Sequence, residues 1–353
     1  MDHQQNEQLP GVLAIDAGNS KTDVALVGAD GTVLGAARGG GFQPQLDGAE
    51  AAIAGLAPLV EAAAREAGLR SATGFGSDGA PGTGVLTTRV SACLANADLP
   101  VEEQQLHAAL AARPWGLTSA VANDTFGLLR AGTDGPRGVA VVCGAGINCV
   151  GLLPDGRTAR FPALGRLTGD WGGGGGLASE SMWHATRAED GRGPATALAP
   201  AIAAHFGMPS ATAVAEAIHL GQLERIRLHE LSRVLFATAE AGDAIALDLI
   251  DRQAAEIARL AVVALTRLNL LGEATPLVLG GGVLAARQPL LIDNLLARLA
   301  AAAPLAEPRI VVAPPVLGSA LLGLDHLAST GLGGGPAAEQ RLRAAYAPVQ
   351  TAA

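Results

Sequence analysis

The feature that most constrains how this chain can fold is a strand pattern that occurs twice. The first copy consists of the apolar run Val12–Ile15, a glycine-containing turn, the strand Asp23–Val27 and a tight Asp30-Gly31 hairpin. The second copy has the same order and nearly the same spacing, with Val139–Cys143, a glycine-containing turn, Cys149–Leu153 and Asp155-Gly156. An Asp-Gly pair between two apolar runs is a strong hairpin signal. The repeat therefore predicts two related sheets in one chain.

Helical segments fill the intervals between these strands. Apolar residues recur at helical spacing over four segments, Ala49–Glu66, Ala213–Leu220, Leu228–Ala241 and Ala244–Leu271. Alternating strands and helices predict a duplicated α/β fold whose two domains present their glycine turns to a shared cleft. Because 353 residues exceed the usual size of one domain, we expect an N-terminal domain at 1–120 and a C-terminal domain at 121–330. The Gly-, Ala- and Pro-rich segment 331–353 is predicted to be a mobile tail.

The composition excludes several classes of protein. A net charge of −9 without any basic run argues against nucleic acid as a partner. No apolar stretch reaches the length of a membrane span, since Arg259 and Arg267 interrupt the longest helix. The three cysteines have no C-x-x-C spacing, which argues against a disulfide framework or a zinc site. The N-terminal segment MDHQQNEQLP is polar and lacks the apolar core of a signal peptide, so we expect a cytoplasmic protein.

The first glycine turn combines a carboxylate, small donors and a cation within seven residues. Its polar and glycine members are Asp16, Gly18, Asn19, Ser20, Lys21 and Thr22. Backbone amides and hydroxyls can surround phosphate oxygens, Lys21 can neutralise them, and Asp16 can hold a hydrated Mg²⁺. Lys21 is the single lysine among 24 basic residues, which either marks a required ammonium group or reflects a bias towards arginine. By itself the turn is also consistent with an ordinary hairpin, and only the second copy favours a phosphate site.

The second glycine turn offers fewer donors. Within Gly144-Ala145-Gly146-Ile147-Asn148 only Asn148 has a polar side chain, although the glycines allow backbone amides to approach an anion. Upstream, Asn123-Asp124 lies between a short apolar strand and the predicted helix Phe126–Ala131. Asp124 is consistent with an N-cap of that helix. It is also placed to be a general base that deprotonates a substrate hydroxyl attacking a phosphate.

Two further glycine clusters follow. The segment Gly165–Gly176 contains Asp170 and five consecutive glycines before a helix predicted to open at Leu177. It is either a flexible connector or a loop that closes over a bound ligand beside a helix N-terminus. The triplet Gly280–Gly282 matches, together with Ala285, the weak pattern G-x-G-x-x-A, so dinucleotide binding stays open at this point. An acid about 20 residues further on, which that pattern requires, is missing.

These motifs together resemble the superfamily of actin, sugar kinases and heat-shock-chaperone ATPases, in which both halves of a duplicated ribonuclease H-like fold carry a phosphate hairpin. More closely, the chain is similar to the family that joins N-acetylglucosamine kinases with the ATPase subunits and activators of benzoyl-CoA reductase and 2-hydroxyacyl-CoA dehydratase. The resemblance covers residues 11 to about 328. It is carried by Asp16–Asp23, Asn123-Asp124, Gly144–Asn148, Gly165–Gly172, Gly280–Gly282 and Gly318-Ser319-Ala320.

The resemblance implies ATP and Mg²⁺ as cofactors, a small-molecule sugar as substrate and a homodimer as the assembly. It assigns Asp124 as the base and Asp16 as the ligand of the hydrated metal. The expected nucleotide contacts are Gly18, Asn19, Ser20, Lys21, Thr22, Gly144, Ala145, Gly146 and Asn148 for the phosphates, and Gly281 and Gly282 for the adenosine. The expected sugar contacts are Gln43, Asn123, Asp124, Gly165 and Asp170.

The chain departs from the family pattern at several of these positions. Ala145 and Ile147 stand where the second phosphate loop usually has hydroxyl residues, which removes donors worth about 1 kcal/mol each. Gln43 stands where the sugar loop usually has Asn, and Trp171 where the kinases usually have Glu. These departures leave the acceptor sugar open.

The predicted function is ATP-dependent phosphorylation of a sugar hydroxyl, with an amino sugar such as N-acetylglucosamine or glucosamine as the acceptor. One alternative is an ATPase that activates a partner reductase or dehydratase. Such activators bridge a [4Fe–4S] cluster with cysteines, whereas Cys93 here has no companion. The other alternative is a catalytically weak sugar or nucleotide sensor. The lost hydroxyls at Ala145 and Ile147 favour it, and the retained Asp124 disfavours it.

Overall fold

In the computed structural model, which describes residues 9, 11–69 and 85–347, the chain forms two compact units. The first unit contains the described residues up to Arg137 and again those from Ala313 onward. The second unit is Gly138–Val312. Each unit is built on its own five-stranded mixed sheet. The predicted duplicated α/β fold is confirmed.

The N-terminal part of the first unit contributes all five strands of its sheet. Its elements are β1 (Val12–Ala17), β2 (Thr22–Val27), β3 (Val33–Gly39), α1 (Pro44–Asp47), α2 (Ala49–Ala54), α3 (Ala57–Glu66), β4 (Thr87–Leu94), α4 (Pro100–Ala111), β5 (Gly116–Asn123) and α5 (Asp124–Ala131). The strands lie in the order β3-β2-β1-β4-β5. β1 pairs antiparallel with β2 and parallel with β4, which pairs parallel with β5. Every residue of β1 and β2 is buried, as expected for strands covered on both faces.

The second unit repeats this arrangement and adds more helices. Its elements are β6 (Gly138–Cys143), β7 (Ile147–Leu152), β8 (Thr158–Arg160), a 3₁₀ helix (Gly165–Thr168), α6 (Gly173–Glu189), α7 (Leu198–Phe206), α8 (Ala211–His219), a second 3₁₀ helix (Arg225–Glu230), α9 (Leu231–Glu240), α10 (Ala244–Arg267), β9 (Thr275–Gly280), α11 (Gly282–Ala285), α12 (Pro289–Ala302) and β10 (Ala306–Ile310). The sheet order is β10-β9-β6-β7-β8. β6 pairs antiparallel with β7 and parallel with β9, as β1 does with β2 and β4.

The repeat extends to the hairpins at the far ends of these strands. A carboxylate oxygen of Asp30 accepts the backbone N–H of Thr32 at 3.0 Å, and a carboxylate oxygen of Asp155 accepts the backbone N–H of Arg157 at the same distance. An aspartate that bonds the backbone two residues on stabilises a tight turn. The two Asp-Gly hairpins predicted from the sequence are therefore confirmed in both copies.

The C-terminal helices belong to the first unit. Helix α13 (Pro315–Thr330) buries Leu317, Leu321 and Leu324 in one core with Val12 and Val27 of the first sheet. The division found here differs from the predicted boundaries at 120 and 330, because β5 completes the first sheet, α5 follows it in the same unit, and the chain later returns to cover the second face of that sheet. Boundaries predicted from the linear sequence cannot show that a C-terminal segment belongs to the first unit.

The predicted tail also differs from expectation over its described part. Helix α14 (Pro336–Ala345) follows α13 and buries Ala338 and Leu342. Arg130, on α5, donates to Glu339 of this helix at 2.7 and 2.9 Å, which ties the helix to the unit. Residues 348–353 lie outside the described residues. So do residues 1–8 and 10, on which the cytoplasmic prediction rests. Among the described helices none combines the length and apolarity that a membrane crossing requires.

Candidate active site

The first glycine turn is a compact loop that neighbouring backbone holds in place. The N–H of Gly18 donates to the carbonyl of Lys21 at 2.8 Å and closes the turn between β1 and β2. The carbonyl of Gly18 accepts the N–H of Phe42 at 2.9 Å, and the side chain of Asn96 donates to that of Asn19 at 2.8 Å. The exposed Lys21 Nζ lies 3.7 Å from Asp23. The turn is therefore ordered, with a cation at its open side, as the phosphate prediction requires.

Two carboxylates of this unit, those of Asp16 and Asp124, lie close enough for the charge of Asp124 to raise the pKa of Asp16. Asp16 is the penultimate residue of β1, and Asp124 follows β5 at the same edge of the sheet, because β1, β4 and β5 run parallel. Burial, together with the charges of Asp124 and Asp23, raises the pKa of Asp16 to about 8. Burial also raises the pKa of Asp124 to about 6. Acids with raised pKa values at the carboxyl ends of parallel strands are common at functional sites, so this edge of the sheet is the candidate active site.

The N-cap of helix α5 is Asn123 rather than Asp124. Its side-chain oxygen accepts the N–H of Thr125 at 3.0 Å, and its amide donates to Asp98 at 2.8 Å. The capping alternative for Asp124 is therefore wrong, and its carboxylate accepts the hydroxyl of the neighbouring Thr125 at 3.5 Å. The sugar contact expected of Asn123 stays a prediction, since both atoms of its amide already have protein partners.

The loop after β3 carries Gln43 beside a cavity in the first unit. This cavity has a volume of about 270 Å³, and its lining includes Thr22, Gly41, Phe42 and Gln43. Gln43 is exposed and makes no side-chain cap of α1. Gly41 lies so close to the first turn that an added Cβ would be 2.1 Å from the carbonyl oxygen of Asn19. The loop at Gln43 and the first glycine turn are thus packed together.

The second glycine turn departs from the family pattern at Ala145 and Ile147, and the side chains at these two positions lie in different surroundings. The side chain of Ile147 is buried in the hydrophobic core of the second unit, so this position faces inward. Ala145 is exposed at the tip of the turn, where a hydroxyl would be available to a ligand. The side-chain oxygen of Asn148 accepts the N–H of Cys149 at 2.7 Å. Of the two missing hydroxyls, the one at Ala145 therefore matters for a ligand.

The run of five glycines is not a flexible loop, and that expectation is wrong. Helix α6 begins at Gly173, within the run, rather than at Leu177. Its first amide donates to the Gln253 side chain at 2.9 Å, and the next two donate to the carbonyls of Gly144 and Ala145 at 2.7 and 2.9 Å. These contacts satisfy amides that a helix start otherwise leaves free. The helix N-terminus therefore supports the second turn and has few amides left for an anion.

Close packing explains why glycine occupies these positions. Gly173 has φ +70°, and an added Cβ would lie 2.5 Å from the carbonyl carbon of Gly146. Gly281 has φ +88°, and its added Cβ would lie 2.5 Å from the carbonyl carbon of Cys143. Both positions need the left-handed backbone region and leave no room for a side chain. The turn at Gly144–Gly146 is thus held from two sides by backbone.

A large cavity of the second unit adjoins Gly282, one of the two predicted adenosine contacts. Its volume is about 660 Å³. One wall is formed by the end of the 3₁₀ helix and by α9 and carries His229, Glu230, Ser232, Arg233, Phe236, Ala237 and Glu240. The other wall consists of Gly282, Val283, Ala286 and Gln288. This cavity is within the size range of ligand pockets.

The predicted sugar residues Gly165 and Asp170 lie in one small turn of the second unit. The hydroxyl of Thr168 donates to Asp170 at 2.8 Å, and the N–H of Asp170 donates to the carbonyl of Gly165 at 3.1 Å. Trp171, the next residue, is buried, and the guanidinium of Arg252 lies 4.1 Å from its ring centroid. Its indole N–H has no partner within the described part of the chain. A Trp packed in this way cannot replace the acid that the kinases place there.

Two positioning residues went unnoticed in the sequence. Gln253, fully buried on α10, holds the start of α6. It interrupts an apolar stripe that includes Ile250 and Ile257, and a polar residue in such a stripe is a usable signal. Arg38 forms an ion pair with the buried Asp23 opposite Asp16, and nothing in the local pattern marks it.

Two sheets of the same topology, each carrying a glycine turn between its first two strands, define the actin-like ATPase fold that sugar kinases share. The chain belongs to the BadF/BadG/BcrA/BcrD ATPase family, whose model matches residues 13–323. The resemblance inferred from the motifs is confirmed.

Individual relatives agree with this assignment. An N-acetyl-D-glucosamine kinase from Dictyostelium discoideum is 28% identical over 206 residues, which is 58% of this chain and 64% of that protein. The fold is similar to that of a candidate N-acetylglucosamine kinase from Chromobacterium violaceum, with a TM-score of 0.66, 21% identity and coverage of 89% of this chain and 99% of the other. A second candidate N-acetylglucosamine kinase, from Porphyromonas gingivalis, gives a TM-score of 0.61 at 19% identity, with coverage of 91% and 99%.

Proposed function

We propose that this protein is an ATP-dependent sugar kinase that transfers a phosphoryl group to a hydroxyl of an amino sugar such as N-acetylglucosamine or glucosamine. The observation that carries the proposal is the group formed by Asp124, Asp16 and the turn at Lys21 in the first unit. A base, a metal-binding carboxylate and a cation are what phosphoryl transfer to a hydroxyl requires. The kinases among the relatives support the same reaction.

Asp124 is assigned the role of the base. Its pKa of about 6 leaves the carboxylate largely ionised at neutral pH while bringing its basicity closer to that of the medium. The cap that Asn123 provides for helix α5 fixes the backbone from which Asp124 projects. In this reaction Asp124 accepts the proton of the sugar hydroxyl as its oxygen attacks the γ-phosphorus of ATP.

The residues at Asp16 fit a hydrated Mg²⁺ ion. Its carboxylate, with a pKa raised by burial and then by the neighbouring acids Asp124 and Asp23, is stabilised by a cation close by. In the described residues no group of three or more His, Cys, Asp or Glu side chains surrounds a metal site. Mg²⁺ usually keeps several waters and binds one or two carboxylates and the substrate phosphates, so a single buried acid suffices. When bound, the ion neutralises charge on the β- and γ-phosphates.

The roles of the remaining predicted residues complete the proposal. Gly18, Asn19, Ser20, Lys21 and Thr22 bind phosphate oxygens from the first unit, and Gly144, Ala145, Gly146 and Asn148 do so from the second. Gly281 and Gly282 bind the adenosine at the 660 Å³ cavity. Gln43, Gly165 and Asp170 bind the sugar.

The alternative of a reductase-activating ATPase is disfavoured by the cysteines. Cys93, Cys143 and Cys149 are all buried. Burial raises the pKa of Cys93 and of Cys143 to about 12, so neither is a ready thiolate. A cluster shared between subunits needs thiolates at a surface. The sensor alternative is disfavoured by Asp124, because a binding protein needs no base.

The experiment measures ADP release with Mg-ATP across a panel of hexoses and amino sugars, with a reaction lacking sugar alongside. We expect one sugar class to stimulate turnover. Asp124→Asn should fold normally and lose about 10²–10⁴-fold in turnover. Asp293→Asn, at an exposed acid of helix α12, serves as the matched control and should keep full activity.

Three outcomes contradict the proposal in different ways. Near-normal turnover in Asp124→Asn would show that Asp124 is not the base. ATP hydrolysis that no sugar changes favours the partner-activating ATPase. Ligand binding with no turnover favours the sensor.

A further inference from the structure

The second unit lacks side-chain donors where its glycine turn is expected to meet phosphates. Ala145 has no hydroxyl, and the side chain of Ile147 is buried in the core. The first amides of helix α6 already bond to Gln253, Gly144 and Ala145. A nucleotide with several negative charges therefore needs other donors on this side.

Two basic side chains, His229 of the second 3₁₀ helix and Arg233 of α9, line one wall of the same cavity, and His229 lies close to that turn. The Nε2 atom of His229 is 3.4 Å from the position of an added Cβ at Gly175, whose N–H bonds to the carbonyl of Ala145. His229 and Arg233 are four residues apart and line the same cavity as Gly282.

The charged side chains along this cavity wall favour binding of an anion near His229 and Arg233 rather than near Glu240. Within the described ranges Arg233 forms no ion pair or hydrogen bond, so its guanidinium is available. The neighbouring Glu230 already accepts hydrogen bonds from Arg227 and His205. Glu240, the other acid of the cavity wall, lies seven residues beyond Arg233, about 10 Å further along the helix.

We propose that His229 and Arg233 bind the phosphates of the nucleotide and supply the donors that the second glycine turn lacks. This inference rests on the proposed use of ATP and adds two residues that the family pattern does not assign. The nucleoside then occupies the cavity towards Phe236, and the phosphates extend towards Ala145. An arginine and an imidazole are well suited to phosphate oxygens.

The test measures binding of Mg-ADP, of a non-hydrolysable ATP analogue and of adenosine by calorimetry. His229→Ala and Arg233→Ala should each weaken binding of the two phosphorylated ligands roughly 5–20-fold, because each removes a hydrogen bond to a charged group. Adenosine affinity, read by competition where it is weak, should stay within about twofold. His219→Ala and Arg225→Ala are matched controls, since both residues line a separate 440 Å³ cavity of the same unit.

Two further variants separate phosphate binding from a structural role. His229→Gln keeps a donor and should retain most of the affinity that His229→Ala loses. Ala145→Thr restores the family hydroxyl and should recover part of the loss when combined with His229→Ala. Equal losses for adenosine and Mg-ADP, or losses no larger than in the two controls, would overturn the inference. A wild-type protein that binds nucleotides but phosphorylates no sugar refutes only the proposed function, and the His229 comparison can still be made.

Discussion

Because helix α6 packs against the second glycine turn, we expect alanine substitutions at Gly173 and Gly176 to change the stability of the protein in opposite directions. Gly173 has φ +70°, and its added Cβ would lie 2.5 Å from the carbonyl carbon and 2.6 Å from the oxygen of Gly146. Gly176, three residues on in the same helix, has no atom within 4 Å of its added Cβ. The same change, Gly→Ala, therefore meets opposite environments at positions one helical turn apart.

The expected magnitudes follow from these two environments. A left-handed backbone costs a residue with a Cβ about 1–2 kcal/mol. Displacing the packed Gly146 backbone adds about 1–3 kcal/mol. Gly173→Ala should thus lower the free energy of unfolding by about 3 kcal/mol. Gly176→Ala should raise it by about 0.5–1 kcal/mol, because alanine stabilises an open helix position relative to glycine.

Thermal denaturation of both variants tests this reasoning. For a unit of this size 1 kcal/mol corresponds to about 2–4 °C, so Gly173→Ala should lower Tm by about 6–12 °C and Gly176→Ala should raise it by about 1–4 °C. Nucleotide affinity should fall only in Gly173→Ala, since that change moves the turn at Gly144–Gly146. If both variants gain stability equally, the glycine run does not hold the turn, and the site described for the second unit loses its support.

Two further predictions concern the link between helices α5, α13 and α14. Arg130→Met should lower the free energy of unfolding, measured in urea, by about 3–5 kcal/mol, because it leaves Asp325 and Glu339 without their buried partner. As a control, Arg341→Ala removes an exposed ion pair with Asp30 and should lower it by less than about 1 kcal/mol. Equal losses in the two variants would contradict the argument. Burial alone would raise the pKa of Glu339, but hydrogen bonds and charge from Arg130 and Arg343 hold it below its ordinary value. The stability that Glu339 contributes is therefore present above its ordinary pKa and is lost as the pH falls through the lower folded-state pKa. Urea midpoints measured from about pH 7 to pH 3 should fall less steeply in Glu339→Gln, and identical slopes would exclude this contribution.

The strands with continuous apolar runs could be predicted from the sequence because burial on both faces leaves a clear pattern. β1 and β6 were expected at their observed positions to within two residues at each end. β4 gave no such signal, since Thr87 and Ser91 occupy buried positions in it. Its place between β1 and β5 depends on pairing with distant segments, which periodicity does not reveal.

The candidate site was predictable where it depends on residue type and unpredictable where it depends on packing. Asp16, Lys21 and Asp124 stand out by their chemistry at strand ends. The role of the glycine run does not, because the same five residues suit a flexible loop and a helix start pressed against backbone. Only the short approach between Gly173 and Gly146 distinguishes these two cases.

The two copies of the strand pattern differ in the residue pair next to their glycine turns. At the end of the first hairpin, Asp16 lies opposite Asp23, one pair before the turn. The corresponding pair in the second hairpin is Val142 and Asn148, which carries no charge. The acidic pair beside the turn is therefore found only in the first hairpin. In the second hairpin the turn is held by contacts with neighbouring backbone. Variants at Asp16 or Asp124 should accordingly change turnover more than nucleotide affinity, and variants around Gly144–Gly146 should do the reverse.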